Sequence, residues 1–312
     1  MKILIIRPGA LGDTLMLTPA LAGMKGLEDI HLVARRPGLD VLRPFVKTGM
    51  DYERGGWHRL FMDDPLLIPT KPPLSTGGGV GEAERLDLAV AFLSDRSGAV
   101  REKLKVLVPA PSIHVFPPLP QKNESVHAAL YLAESLAATG CPITPARVIE
   151  DAVKRPLLWG EAFPYPNDRR IVFHPGSGGA SKNHPPEFWT ALLRDFRDTV
   201  AGKASLAVLL GPAEEACLSF YREQLSGDET EILFSPEMGP LLRLLKSARL
   251  FLGQDSGITH LAAMLGTPTI ALFRNSNLKQ WKPLGPTVEV IEGENRPGLR
   301  EEVCERAQEM VL

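Results

Sequence analysis

The stretch from Leu250 to Phe273, LFLGQDSGITHLAAMLGTPTIALF, restricts the fold more than any other part of the sequence. Its first apolar run ends at Gly253, a polar turn follows, and apolar residues then recur at helical spacing from Ile258 to Leu265. Gly266 ends this helix, and the run that follows it is β-branched and apolar enough for a buried strand. The stretch therefore predicts strand, turn, short helix and strand, which is a parallel β-α-β unit.

The polar turn of this unit, Gln254 to Gly257, lies where parallel sheets bind anions. Free backbone N–H groups and the positive end of a helix meet there at the carboxyl edge of the sheet, where diphosphates often bind. Asp255 and Ser256 are also typical helix caps, and a lone histidine such as His260 is often only a packed residue. On local grounds, capping alone remains an alternative to ligand binding.

A second strand-loop-helix pattern begins the chain. The apolar run from Lys2 to Ile6 is followed by the loop Arg7 to Asp13 and an amphipathic segment. Asp13 stands where it could cap the helix or face a ligand. The loop lacks the G-x-G-x-x-G pattern of dinucleotide-binding proteins, and the second strand, Ile30 to Ala34, runs into two arginines rather than an acidic residue. An NADP site remains a weak alternative, since arginines can hold its 2′-phosphate.

Three arginines follow predicted strand ends in this half of the chain, and we expect them to meet a phosphorylated acceptor: Arg7, Arg35 and Arg36. Solvated surface arginine is the alternative for each. Residues 40–81 are poorly periodic and rich in proline and glycine, which predicts a long, mobile loop. Leu86 to Leu93 and Ile113 to Phe116 are predicted strands, and Val106 to Val108 is a weaker one.

A third loop follows the predicted strand Arg170 to His174 and reads PGSGGASKN. Small residues let backbone N–H groups surround phosphate oxygens, and Lys182 would neutralise their charge. The loop does not match a Walker A sequence, and a flexible loop with an incidental lysine is the alternative. The sequence thus predicts a phosphate cradle at the start of a second domain.

Length and composition limit the number of domains and the classes of function that remain possible. The length of 312 residues suits two domains, and a net charge of −2 argues against nucleic-acid binding as the main function. The three cysteines show neither zinc-finger nor disulfide spacing, which fits a reducing cytoplasm, and no apolar stretch is long enough to span a membrane. We place the domain boundary in the proline-rich segment 156–168.

The motif Asp255-Ser256-Gly257 with His260, followed by Leu-Gly-Thr-Pro-Thr, resembles the signature of the heptosyltransferases of glycosyltransferase family 9. The loop around Lys182, followed by Pro-x-x-Phe-Trp, and the Leu-Gly-Asp of the first loop are similar to other motifs of that family. The resemblance implies an α/β protein of GT-B fold, with two Rossmann-like domains facing across a cleft. The acceptor-binding domain would cover residues 1–160 and the donor-binding domain 161–296, with a final helix in 297–312 that could return to the first domain.

The resemblance also implies roles for individual residues. Asp13 would be the catalytic base on the acceptor, with Gly12 beside it, and Lys182 would stabilise the leaving diphosphate. Either Glu214 or Glu215 would bind the ribose, and Met238 would pack on the adenine. The remaining donor-binding candidates are Ser177, Ser181, Asp255, Ser256, Gly257 and His260.

The function implied by the resemblance is inverting transfer of heptose from ADP-heptose to a lipopolysaccharide inner-core acceptor. No cofactor is expected beyond the ADP-sugar co-substrate, and we expect no metal site because the sequence lacks a suitable Asp-x-Asp pair. The expected partners are the nucleotide sugar and a lipid-linked oligosaccharide, met in the cytoplasm at the inner face of the membrane. A GT-B sugar-nucleotide epimerase and a non-catalytic nucleotide- or sugar-binding protein are the alternatives.

Overall fold

The computed structural model describes residues 1–26, 29–62, 85–121, 125–158, 170–202 and 204–311. The chain divides into two compact units, Met1–Val148 and Ile149–Leu312. The boundary that we predicted at residue 160 lies outside the described residues, so the predicted domain limits stay predictions.

Unit 1 is built on a parallel sheet, which has five strands in the described part of the chain, in the order β3-β2-β1-β4-β5. Its strands are β1 (Lys2–Arg7), β2 (Asp29–Ala34), β3 (Thr48–Asp51), β4 (Leu88–Phe92) and β5 (Ser112–Phe116). Its helices are α1 (Leu11–Leu15), α2 (Thr18–Met24), α3 (Gly38–Leu42), α4 (Ala99–Leu107) and α5 (Ala128–Ala138), and α6 (Pro145–Lys154) crosses the division between the units.

The central strands of this sheet are fully buried because they are apolar along their whole length. Residues 3–6 of β1 are 0% exposed, as expected of a strand covered on both faces. On one face Leu4 and Ile6 pack with Trp57 and with Leu104 of α4. Burying each such side chain contributes roughly 1.5–3 kcal/mol to stability.

Two expectations for unit 1 are wrong. Residues 40–62 are not one long loop, since they include the end of α3, the strand β3 and two short 3-10 turns, Arg43–Phe45 and Trp57–Phe61. The part of the predicted loop from residue 63 lies outside the described residues as far as residue 84. The predicted strand Val106 to Val108 is instead the last turn of α4 and the residue after it.

Unit 2 also has a parallel sheet, with six strands among its described residues, in the order β11-β10-β9-β6-β7-β8. The strands are β6 (Ile171–His174), β7 (Leu206–Leu210), β8 (Thr230–Phe234), β9 (Leu250–Gln254), β10 (Thr269–Phe273) and β11 (Val288–Glu292). The helices are α7 (Pro186–Phe196), α8 (Leu218–Gln224), α9 (Met238–Ser247), α10 (Gly257–Met264), α11 (Leu278–Trp281) and α12 (Leu299–Val311). The π-helical turn Arg197–Ala201 follows α7, and the 3-10 helices Ala180–Lys182 and Pro212–Cys217 lie in loops.

The core of unit 2 includes residues from its sheet, from α7 and from the final helix. Phe173 of β6 meets Phe196 of α7 edge to face, with ring centroids 5.1 Å apart. Val303 and Ala307 of α12 belong to the same core and are 0% exposed. The apolar face of α12 is therefore buried within unit 2.

Each sheet has a point at which the strand order reverses. In unit 1 it lies between β1 and β4, and in unit 2 between β6 and β9. Loops that leave the carboxyl ends of two such strands diverge to opposite faces of the sheet and open a crevice between them, where open α/β sheets bind their ligands. Both units are thus Rossmann-like, which confirms the predicted α/β class. Among the described residues, no helix has the length and apolar character needed to cross a membrane.

Candidate functional site

The predicted motif after β9 forms a capped helix start. The backbone N–H of Thr259 donates to Ser256 Oγ over 3.2 Å, so Ser256 caps α10. Thr259 Oγ1 in turn donates to the carbonyl oxygen of Gln254 over 2.5 Å. The capping role predicted for Ser256 is confirmed. The first backbone N–H groups of α10, from Gly257 onward, begin directly after it.

Lys182 and Asp255 meet at the reversal point of the unit 2 sheet. Lys182 Nζ lies 2.6 Å from Asp255 Oδ2, although the two residues follow different strands, β6 and β9. The carboxylate is almost buried, with 5% of its side chain exposed, whereas the lysine side chain is 36% exposed. His260 Nε2 lies 3.9 Å from the other carboxylate oxygen. Residues predicted from two separate motifs, Lys182 from one and Asp255 and His260 from the other, are therefore brought together at the carboxyl edge of one sheet.

The loop that carries Lys182 is closed by its own side chains. Ser177 Oγ donates to Asn183 Oδ1 over 2.5 Å, and Gly179 N donates back to Ser177 Oγ over 3.3 Å. Ser177 is 7% exposed, so its hydroxyl is used within the loop. Ser181, in contrast, is exposed, and its carbonyl oxygen accepts a hydrogen bond from Asn275. Phosphate contact by either serine stays a prediction.

The structure distinguishes the two adjacent glutamates that follow β7. Glu214 is 8% exposed and its Oε2 accepts the backbone N–H of Gly211 over 2.7 Å. Its carboxylate lies against Gly176, where an added Cβ would stand only 1.9 Å from Glu214 Oε1. Glu215 is exposed. Of the two glutamates, Glu214 is thus the one that the structure places against the loop of Lys182. Burial also lowers the pKa of His174, a neighbour of Glu214.

Met238 begins α9, directly after the turn that follows β8. It is half-buried, and Phe234 at the end of the same strand is 37% exposed. Ser235, between them, has a positive φ of 46°, which is uncommon for a residue with a side chain. An apolar surface therefore lies at the carboxyl end of β8, two strands away from β6.

In unit 1, Asp13 serves as part of its own helix cap. Its Oδ2 accepts the backbone N–H of Ala10 over 3.2 Å, and the side chain is half-buried in the first turn of α1 beside Gly12. A side chain at Gly9 would place its Cβ 2.4 Å from Asp13 Cβ, so glycine is required for this approach. The cap engages one carboxylate oxygen, and a carboxylate can accept several further hydrogen bonds.

The three arginines that we expected to meet the acceptor have partners within unit 1. Arg7 is 2% exposed, and it donates to the carbonyl oxygens of Asp13 and Pro118. Burial lowers the pKa of Arg7. The other two are exposed at the end of β2: Arg35 pairs with Glu53 at 2.9 Å, and Arg36 with Asp51 at 3.4 Å and Asp40 at 3.6 Å. Arg7 thus shapes the loop before Asp13, and acceptor binding by any of the three stays a prediction.

Sequence patterns did not reveal which further residues hold the Lys182 loop or lie beside His260. Arg274 Nη1 donates to the carbonyl oxygen of Asn183 over 2.6 Å, and Gln254 also contacts the loop. Trp281 of α11 lies beside His260, with ring centroids 6.4 Å apart. All of them follow or end β9 or β10, so their position at the carboxyl edge was the one available signal. Within the described residues, no group of three or more His, Cys, Asp or Glu side chains could hold a metal ion.

Two Rossmann-like units in one chain are the architecture of the GT-B fold. The family model described as glycosyltransferase family 9 (heptosyltransferase) matches residues 120–309, which is more than half of the chain. The chain therefore belongs to glycosyltransferase family 9. No curated protein matches the chain in sequence.

Solved structures of this family share the fold over almost the whole chain. The E. coli heptosyltransferase WaaC with ADP superposes with a TM-score of 0.72 and 16% identity, covering 99% of this chain and 100% of that one. The E. coli ADP-heptose lps heptosyltransferase II gives a TM-score of 0.70 and 18% identity, covering 100% and 98%. A family 9 glycosyl transferase from Veillonella parvula gives 0.68 and 17%, covering 99% and 97%. These structures confirm the GT-B fold.

Proposed function

We propose that this member of family 9 transfers heptose from ADP-heptose to an inner-core sugar of lipopolysaccharide, with inversion at the anomeric carbon. The observation that carries the proposal is the pairing of Lys182 with Asp255 at the strand-order reversal of unit 2, next to the start of α10. The two E. coli relatives support the choice of donor, because one is described with ADP and the other as an ADP-heptose enzyme.

The order of strands in unit 2 supports a direction for the bound donor. The diphosphate would lie between the loop of Lys182 and the first N–H groups of α10, after β6 and β9. The ribose would reach Glu214 after β7, and the adenine would pack on Met238 after β8. Because these strands are neighbours in the sheet, the three contacts form one line along its carboxyl edge.

The proposed reaction is a single displacement. The acceptor hydroxyl oxygen bonds to the anomeric carbon on the face opposite the diphosphate, and its proton passes to the carboxylate of Asp13. The bond from the anomeric carbon to the β-phosphate oxygen breaks, and its electron pair leaves with ADP. Lys182 and the N–H groups of α10 stabilise the charge that develops on the diphosphate. We propose that these groups act without a metal ion.

The acceptor side of the proposal rests on unit 1. Arg7 ends β1, Gly12 and Asp13 follow it, and Arg35 and Arg36 follow β2, which is the adjacent strand of the sheet. We propose that the arginines bind anionic groups of a lipid-linked oligosaccharide, with Arg35 and Arg36 exchanging their carboxylate partners for the acceptor. Such an acceptor implies peripheral contact with the cytoplasmic face of the inner membrane.

Calorimetric titration of the chain with ADP, UDP, GDP and NADP in EDTA tests the donor assignment. We expect ADP to bind and the other three to bind far more weakly. Turnover of ADP-heptose only in the presence of a core acceptor would separate a transferase from an epimerase or a binding protein. Preference for UDP or GDP would contradict the heptosyl assignment, and preference for NADP would contradict the function as a whole.

Replacement of Asp13 tests its role as the base. Asp13→Asn keeps the size of the side chain and an oxygen that can accept from Ala10 N–H, so the helix cap is largely preserved. We expect the rate of transfer to fall by about 10²–10⁴-fold, with ADP affinity unchanged. Loss of ADP affinity equal to that of a Lys182 variant would contradict this division of roles.

A further inference from the structure

Gln254 is a fully buried polar residue that the proposed mechanism does not use. It is the last residue of β9, is 0% exposed, and directly precedes Asp255. A buried carboxamide is costly unless its hydrogen bonds are made, so its partners indicate why it is present.

Both ends of the Lys182 loop are bonded to this one side chain. Gln254 Oε1 accepts the backbone N–H of His184 over 2.6 Å, and Gln254 Nε2 donates to the carbonyl oxygen of Pro175. Pro175 is the first residue after β6, and His184 stands two residues before α7. A single carboxamide therefore fixes the two points between which Ser177 and Lys182 lie.

The backbone of Gln254 links the same position to α10. Its carbonyl oxygen accepts the hydroxyl of Thr259, which lies in the first turn of that helix. The Lys182 loop and the first turn of α10 are thus both hydrogen-bonded to Gln254. A carboxamide of this length offers both an acceptor and a donor here, whereas neither an ionised glutamate nor a methionine can make both loop contacts.

Two further side-chain hydrogen bonds to the backbone of this loop come from residues that are less buried. Arg274 reaches Asn183 from the end of β10, and its side chain is 27% exposed, while Asn275 reaches Ser181 over 3.2 Å. These contacts hold the second half of the loop from outside. Gln254 instead supports the loop from the interior, where water cannot replace a lost hydrogen bond.

We propose that Gln254 is a positioning residue, which holds the Lys182 loop against the start of α10 so that the lysine ammonium and the helix N–H groups face the same diphosphate. The proposal rests on the proposed function for one point, which is that Lys182 binds the donor diphosphate. The role of Gln254 is exerted through Lys182, and Gln254 does not contact the ligand.

A double-mutant cycle with ADP as the probe tests this role. ADP dissociation constants are measured by calorimetry for the wild type, Gln254→Met, Lys182→Met and the double variant. We expect Gln254→Met to weaken ADP binding by about 10-fold, comparable to the loss of one or two hydrogen bonds. In the Lys182→Met background the same change should weaken ADP binding by less than about 2-fold, because the ammonium group that Gln254 positions is gone. A loss that is equal in both backgrounds would overturn the proposal.

Thr267→Val is the matched control for a general loss of stability. Thr267 is 3% exposed, and its hydroxyl donates to the carbonyl oxygen of Leu245 over 2.6 Å, beyond the far end of α10. We expect this variant to unfold at lower urea concentration while binding ADP as the wild type does. If it weakens ADP binding as much as Gln254→Met does, the effect of Gln254 is structural only and the proposal fails.

Gln254→Asn carries the test where Gln254→Met does not fold. It keeps an uncharged carboxamide but is one methylene shorter, so it cannot reach both His184 N–H and the Pro175 carbonyl oxygen. We expect weaker ADP binding, again only when Lys182 is present, and wild-type affinity would overturn the proposal. If Lys182→Met itself leaves ADP binding unchanged, the proposed function fails at that point. Loss with Lys182→Met but not with the Gln254 variants contradicts only the positioning role.

Discussion

Lys182 Nζ and Asp255 Oδ2 lie 2.6 Å apart, and this ion pair joins the loop after β6 to the turn after β9. The carboxylate is nearly buried and also lies near His260, so the pair is part of the site rather than a solvated surface contact. A bound diphosphate would bring a second set of negative oxygens to the same lysine. The carboxylate and the phosphates therefore compete for one cation.

Asp255→Asn is expected to separate binding of the nucleotide from binding of the sugar. Removing the carboxylate charge leaves Lys182 free for the diphosphate and removes a like charge, so affinity for ADP should be unchanged or several-fold higher. If Asp255 binds the donor sugar, as the family resemblance implies, affinity for ADP-heptose should fall at the same time. Calorimetry with both ligands measures the difference, and weaker binding of ADP itself would contradict the competition.

Glu214→Gln and Glu215→Gln should differ in their effect on ADP affinity. The carboxylate of Glu214 is held beside Gly176 by the Gly211 N–H, whereas Glu215 is exposed. Loss of the charged acceptor at Glu214 should cost about 1.5–3 kcal/mol of ADP binding, the range for hydrogen bonds to charged groups. Glu215→Gln serves as the control and should bind ADP normally. The comparison with 2′-deoxy-ADP shows whether the loss belongs to the ribose, since Glu214→Gln should no longer distinguish the two ligands.

The strands of unit 2 could be predicted from sequence because each is a short apolar run with a clear end. The predicted strand Arg170 to His174 differs from β6 (Ile171–His174) by one residue, and the two apolar runs of the stretch Leu250 to Phe273 form β9 and β10. In unit 1, β3 (Thr48–Asp51) was missed because it is a half-buried edge strand with a glycine and no alternation of polar and apolar residues. Val106 to Val108 was misjudged because three apolar residues at a helix end also fit a strand.

The candidate site was predictable where one short segment supplies several groups, as the turn after β9 does. Sequence could not choose between Glu214 and Glu215, because adjacent residues of a helical turn point in different directions and only packing reveals which is buried. Two of the partners of Arg35 and Arg36, Glu53 and Asp51, come from β3 and the residues after it, and their approach depends on strand order. The role of Gln254 depends on contacts 70 or more residues away in the sequence.

Gly176→Ala should impair the site, whereas Gly178→Ala should not. A Cβ at Gly176 would stand 1.9 Å from Glu214 Oε1, so the carboxylate would have to move, but a Cβ at Gly178 would meet no atom within 4 Å. Neither glycine has a positive φ, so backbone strain does not separate the two changes. We expect Gly176→Ala to lose about 1–3 kcal/mol of stability or of ADP binding, as overpacking does. Urea unfolding measures the stability and calorimetry measures the ADP affinity of each variant. Equal losses in the two variants would contradict the predicted clash between an alanine at position 176 and Glu214.

His184 should make the stability of the chain depend on pH below neutrality. Burial and the nearby Arg274 charge lower the pKa of His184 to about 4, and the side chain is 2% exposed. Below the unfolded pKa of about 6.5 the unfolded chain takes up a proton that the folded chain does not, so this stability is lost as the pH falls from 6.5 towards 4.

The variant His184→Leu removes this titration and keeps the backbone N–H that bonds to Gln254. Between pH 7.5 and pH 5, its free energy of unfolding should fall by about 1–2 kcal/mol less than that of the wild type. Urea denaturation at the two pH values measures the difference. The same pH dependence in both proteins would mean that His184 titrates normally in the folded chain.

The strand order of unit 2 also bears on how such a chain can change during evolution. The turns after β6, β7 and β8 leave neighbouring strands about 4.8 Å apart, so in the proposed binding mode each would meet a different portion of the nucleotide. Substitutions in the turn after β8 would then alter which base is preferred while Lys182 and its supporting residues stay unchanged. Base preference and leaving-group chemistry would be inherited on separate segments, which would let one diversify while selection maintains the other.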